Sequence, residues 1–162
     1  MLKDLALLSL RLTTGSIVAA HGYTKLFGGP GRKPPEKVAE LLGPNFSKAV
    51  EQGGPEAFAQ VLTSLGIPQP QAAAYMSGAT EFLGGLAIVL GLKTRLVAPL
   101  VVFNLLVAIE KVHRKNGFYG EGGFELPGLL ATNVAALFIA GPGCISFDTI
   151  LRDPPPKPAA ED

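Results

Sequence analysis

A chain of 162 residues leaves room for one domain, and a net charge of +1 points away from nucleic acid and from strongly anionic surfaces. The lone cysteine, Cys144, excludes an intramolecular disulfide and a cysteine-based zinc cluster. Mean hydropathy is a moderate +0.33, but residues 24–71 and 149–162 carry much of the charge and the remainder is nearly free of it, as in a small multi-span membrane protein.

In chain order, the first apolar stretch covers 5–23. Lys3, the apolar run and Val18-Ala19-Ala20 imitate a secretory signal, but Arg11 interrupts the run and further apolar stretches follow, so it reads as a retained helix. A link over 24–71 comes next, punctuated by Gly28-Gly29-Pro30-Gly31, Pro34-Pro35 and Gly53-Gly54-Pro55, with amphipathic pieces at 36–42 and 55–65. These pieces are expected on the membrane surface or capping the bundle, with a partner protein as the alternative. The second span, 72–92, is rich in small residues such as Ala74, Gly78, Gly84 and Gly85, which let helices approach closely in lipid. The third covers 96–113. The fourth, 126–140, opens with Pro127 in its first turn and is short for a full crossing. A proline-rich tail over 151–162 reads as disordered.

Short links after the second and third spans make neighbours antiparallel, so the expected architecture is all-α: an up-down four-helix bundle within residues 1–150, embedded in the lipid bilayer. Lys93 and Arg95 in a very short loop lean both termini to the cytoplasm, although Lys111, Arg114 and Lys115 then fall outside.

Two spans carry a charge, Arg11 in the first and Glu81 in the second. A charge at mid-bilayer costs about 2.5–3.5 kcal/mol on insertion scales, so it faces a partner or a polar cavity. Counting down from the upper span ends puts Arg11 at roughly 16 Å and Glu81 at roughly 13 Å, with Asn104 and Asn133 at similar depth. The expectation is therefore an Arg11–Glu81 ion pair, either locking two helices or serving a ligand. A second polar layer lies above it, with His21, Tyr23, Lys25, Glu110, His113 and Glu125. Two histidines and a glutamate could relay protons; as metal ligands His21 and His113 are weak candidates, and no metal is assigned. No phosphate loop, nucleophile elbow, haem motif or flavin motif is present, and no inverted repeat favours transport.

The chain resembles the DoxX family. The resemblance is carried by Leu10-Arg11-Leu12, His21-Gly22-Tyr23-Thr24-Lys25-Leu26-Phe27-Gly28, Leu65-Gly66-Ile67-Pro68, Glu81-Phe82-Leu83-Gly84-Gly85 and Gly91-Leu92-Lys93-Thr94-Arg95. Further matches are Val107-Ala108-Ile109, His113, Gly117-Phe118, Gly122-Gly123, Glu125, Gly141-Pro142-Gly143 and Ser146-Phe147-Asp148. It implies a four-helix membrane fold and a redox association, with quinone-reducing sulfur oxidation and oxidative-stress complexes as the family's links. A quinone is then the candidate cofactor, and Arg11, His21, Glu81, Asn104, His113 and Glu125 are the candidate ligand or proton-relay residues. Expected partners are other membrane subunits, and the expected location is a bacterial or archaeal cytoplasmic membrane. Residues 29–52 depart from the compact family pattern as an insertion. With no complete catalytic set legible, the alternative is a non-catalytic structural or assembly subunit of a respiratory or photosynthetic complex.

Overall fold

The first apolar helix runs beyond its apolar stretch because nothing breaks it: helix α1 (Leu2–Phe27) carries His21, Tyr23 and Lys25 on its last turns and stops at the Gly28-Gly29-Pro30 break. The computed structural model describes residues 1–151, so all of the proline-rich tail except Leu151 lies outside the described residues. Three short helices follow, α2 (Glu36–Leu42), α3 (Pro44–Gln52) and α4 (Pro55–Ser64). Helix α5 (Pro70–Leu90) opens on proline, whose missing N–H costs nothing at a helix start, and ends at Gly91 in the left-handed region with φ 66°.

Helix α6 (Thr94–Ala108) continues through a π turn (Ile109–His113) and a 3₁₀ turn (Arg114–Asn116). Helices α7 (Glu125–Ala140) and α8 (Phe147–Ile150) complete the described chain, in which there is no strand. The helical runs Leu2–Phe27, Pro70–Leu90 and Thr94–Asn116 are long and apolar enough to cross a bilayer, while α7 is apolar but only 16 residues long.

The four apolar helices pack in a ring, α1 on α5, α5 on α6, α6 on α7 and α7 back on α1. Val18, Ile88, Ala98, Val101, Val134 and Leu137 fill the centre. In lipid, apolar burial gives helices no preference for each other over acyl chains, so association rests on close packing and polar contacts. The α1–α5 seam supplies that closeness. Gly15 faces Gly85 and Val89, Gly22 faces the backbone of Glu81 and Phe82, and Gly78 receives Leu26. Leu83, Leu100 and Phe103 turn outward, where acyl chains would cover them.

The link folds back over the end of the bundle that holds the C-terminus of α1, called the upper end below. Gly54 N–H donates to Thr24 O at 2.9 Å and Gly29 N–H to Val50 O at 2.8 Å. Helix α3 packs on α1, α4 packs on both α1 and α5, and Val50 is buried. Tyr23, Phe27, Phe46 and Phe82 form one aromatic cluster beneath α3. Of the placements the sequence left open, the piece at 55–65 takes the cap as α4, while the piece at 36–42 forms α2, which packs on α3 and buries no residue. Helix α3, between the two amphipathic pieces, is an element the sequence did not signal.

The α1–α5 seam is testable by adding one side chain. A Cβ on Gly85 would stand 2.7 Å from Gly15 O and 2.8 Å from Ala19 Cα, so Gly85→Val forces two backbones apart. It is expected to lower the thermal midpoint of the detergent-solubilised protein by an amount equivalent to about 1–3 kcal/mol or more. Gly128→Ala, where the nearest atom to an added Cβ is 4.0 Å away, should leave that midpoint unchanged.

Candidate functional site

Helix register decides which charges can meet. Because Gly22 faces Glu81 and Gly15 faces Gly85 and Val89, Glu81 is level with the last turns of α1. Arg11 is level with Gly91, about eleven residues and roughly 16 Å lower along α1. The expected Arg11–Glu81 ion pair is therefore not formed. The depth count failed because helix ends are not flush: α1 extends to Phe27, and the first two turns of α5 rise past it to pack under α4.

Arg11 is 2% exposed, and its two Nη atoms meet carbonyl dipoles instead of a carboxylate, while its Nε is buried with no partner among the described residues. Its Nη1 donates to Pro142 O at 2.6 Å and to Ile145 O at 2.8 Å, and its Nη2 to Val89 O at 3.3 Å. The same C-terminal segment is held at other points. Asp148 accepts from the backbone N–H groups of Lys93 (2.6 Å) and Thr94 (3.0 Å), capping the start of α6, and Asp4 accepts from Cys144 N–H (3.0 Å). Arg11 thus clasps residues 142–145 across the lower end, away from the other candidates.

Glu81 finds its counter-charge in Lys25, whose Nζ donates to Oε1 at 2.6 Å. Asn104 Nδ2 donates to the same oxygen at 2.9 Å, joining α6 to the pair. The Glu81 side chain is 4% exposed, and its Oε2 is buried with no partner. The Lys25 ammonium also lies over the Phe58 ring, 4.6 Å from its centroid, so α4 of the cap holds the cation from the far side. Asn133 does not reach this level and instead meets Thr14 Oγ1 at 3.3 Å, a turn or two below.

Beside this triad opens a cavity of about 330 Å³, lined by His21, Lys25, Glu81, His113 and Glu125 among apolar neighbours that include Val18, Leu105, Ala108 and Leu130. The π turn carries His113 at the end of α6 to this cavity, an irregularity often found at functional sites. Its Nδ1 stands 2.8 Å from Gly122 O, and a carbonyl only accepts, so the proton sits on Nδ1 and the neutral ring keeps Nε2 as its basic nitrogen. Asn116 Nδ2 donates to the same carbonyl at 2.9 Å, fixing the glycine-rich loop that forms the cavity's outer wall. Glu125 lies in the first turn of α7, where the helix dipole favours its negative charge. Glu110 is drawn away into an exposed ion pair with Arg114 at 2.7 Å.

The structure thus gathers His21, Glu81, His113 and Glu125 around one cavity, with Asn104 bonded behind it, and leaves Arg11 out. Lys25, placed in the upper layer by sequence, turns out to be the partner of Glu81. Phe58 and the Gly122 carbonyl were not legible as site groups, since each acts through tertiary contact. Among the described residues, no cluster of three or more His, Cys, Asp or Glu side chains is arranged to hold a metal ion.

Spanning-length apolar helices with their polar groups turned inward define a helical integral membrane protein, in contact with the lipid bilayer. The chain belongs to the DoxX family, whose sequence model, described as DoxX, matches residues 6–114. It is also similar to a protein of Bacillus subtilis (strain 168) named "Putative oxidoreductase CatD", at 29% identity over 134 residues, covering 83% of this chain and 79% of that one. No solved structure matches the chain.

The separation of the two charges gives a direct expectation. Arg11→Met removes the clasp and strands buried carbonyls, and should cost about 2 kcal/mol or more of stability, read as a lower thermal midpoint and faster proteolysis beyond Gly141. Ligand affinity at the upper cavity should not change, because no cavity group contacts Arg11.

Proposed function

We propose that this protein is a redox-linked component of a membrane complex, in the cytoplasmic membrane of a bacterium or archaeon, and that its upper cavity takes the head group of a quinone-type molecule. The observation that carries this reading is the cavity itself, which joins an ammonium, two carboxylates and two imidazoles to an apolar wall within the spanning helices. About 330 Å³ is at the small end of ligand pockets, ~300–1,000 Å³, and suits a single ring whose tail lies in lipid. The oxidoreductase name and bacterial source of the relative support the redox role and the location.

In this reading the residues take different parts. Lys25 has three N–H donors. Glu81 Oε1 engages one, and another can serve a ligand carbonyl. Quinone reduction consumes protons with the electrons, and the Nε2 of His113, with His21 and Glu125 toward the upper surface, would carry them. The electrons come from an external donor, for which the family's links point to reduced sulfur compounds.

A second reading, a structural or assembly subunit without catalysis, is favoured by α2, which buries no residue and leaves Leu41 83% exposed outside the spans. One binding measurement separates the two. The chain contains no tryptophan, so calorimetry is the suitable readout. A short-tailed benzoquinone titrated into the nanodisc-embedded protein should bind, and Ala108→Phe, which puts a ring into the cavity from its apolar wall and keeps every polar side chain, should weaken that binding at least tenfold with the thermal midpoint retained. Failure of several quinones to bind the wild-type protein would leave only the structural reading.

A further inference from the structure

We propose that the free oxygen of Glu81 makes this cavity selective for a ligand that donates a hydrogen bond, which in a quinone-type couple is the reduced, hydroxyl-bearing form. The inference rests on the quinone reading of the cavity and adds to it a preference between redox states.

The two oxygens of Glu81 are used unequally. Oε1 accepts from both Lys25 Nζ (2.6 Å) and Asn104 Nδ2 (2.9 Å), which saturates it and fixes the plane of the carboxyl group. Oε2 is buried and has no donor among the described residues. A buried acceptor without a partner is unfavourable, the more so when it shares a negative charge. The other polar groups of the cavity do not relieve it. His113 Nδ1 is committed to the Gly122 carbonyl, Glu125 is itself an acceptor, and the His21 ring makes no bond to Glu81. Since Glu81 lines the cavity, the missing donor is best supplied from there.

A carboxylate oxygen rejects a carbonyl oxygen and welcomes a hydroxyl. A quinone presents only carbonyl acceptors toward this position, whereas the corresponding quinol presents O–H groups. Lys25 can donate to either form, because a hydroxyl also accepts. The pair Lys25 and Glu81 Oε2 therefore reads both functions of a hydroxyl, and only one function of a carbonyl.

The test compares duroquinone with duroquinol, the same single ring in its two redox states, by anaerobic calorimetry on the full-length protein in nanodiscs. Duroquinol should bind the wild-type protein at least about tenfold more tightly, the scale of one hydrogen bond to a charged group. In Glu81→Gln the amide carbonyl stays with Lys25 and Asn104, which puts NH₂ at the free position; an N–H donates to a carbonyl and to a hydroxyl oxygen alike, so the preference for duroquinol should be lost. If Glu81→Gln fails to fold, the wild-type comparison decides alone. Equal affinity for the two forms, or a preference for duroquinone, would overturn the inference and leave the quinone reading standing. Binding of neither form would overturn both.

Discussion

The upper half of this protein is organised around one buried charge that must be neutralised inside the membrane. Glu81 sits on a spanning helix at 3% exposure, and a lone carboxylate there would be expelled or protonated. Lys25 from α1 and Asn104 from α6 converge on one of its oxygens, so three helices are fixed at one level. The cap depends on the same point, because Phe58 of α4 backs the ammonium and Phe82, the residue after Glu81, joins the aromatic cluster of Tyr23, Phe27 and Phe46. What the sequence presents as an insertion-like link is thus part of the wall behind the site.

The two charged positions solve the same problem by different means. Arg11 turns the two Nη atoms of its fork to carbonyls of residues 142, 145 and 89, while its Nε is buried with no partner among the described residues. Glu81 offers only acceptors, and few donors stand free inside a helical membrane protein, since backbone N–H groups are consumed by the helices. A side chain must supply them, and Lys25 is the cation within reach. The lower end is consequently tied by side chains to backbone groups, and Glu81 at the upper end by side chain to side chain.

Much of the fold was legible in the sequence. Charge segregation gave the apolar helices, proline and glycine gave their ends, and the small residues marked the seam that α1 and α5 form. Polar layers were legible only as a list of groups. Glu81, Asn104, His21, His113 and Glu125 were all singled out, but the pairing was not, because depth was measured from the ends of apolar runs. Helices continue into polar sequence, as α1 does through His21 and Lys25, and α5 begins beyond the end of its neighbour. Matching the glycines across the seam, Gly15 with Gly85 and Gly22 with Phe82, would have set the register and placed Lys25 beside Glu81. Phe58 and the Gly122 carbonyl carry no such signal, since their contribution depends on where the cap and the loop settle.

Lys25, and not Arg11, is the partner of Glu81, and a pair of double-mutant cycles measures that choice. Thermal or denaturant stability would be compared for Lys25→Met, Arg11→Met and Glu81→Gln, singly and in the two pairs that include Glu81→Gln. The structure predicts a coupling of at least about 1 kcal/mol between positions 25 and 81, and additivity within about 0.5 kcal/mol between positions 11 and 81. Strong coupling of 11 with 81, with 25 and 81 additive, would contradict it.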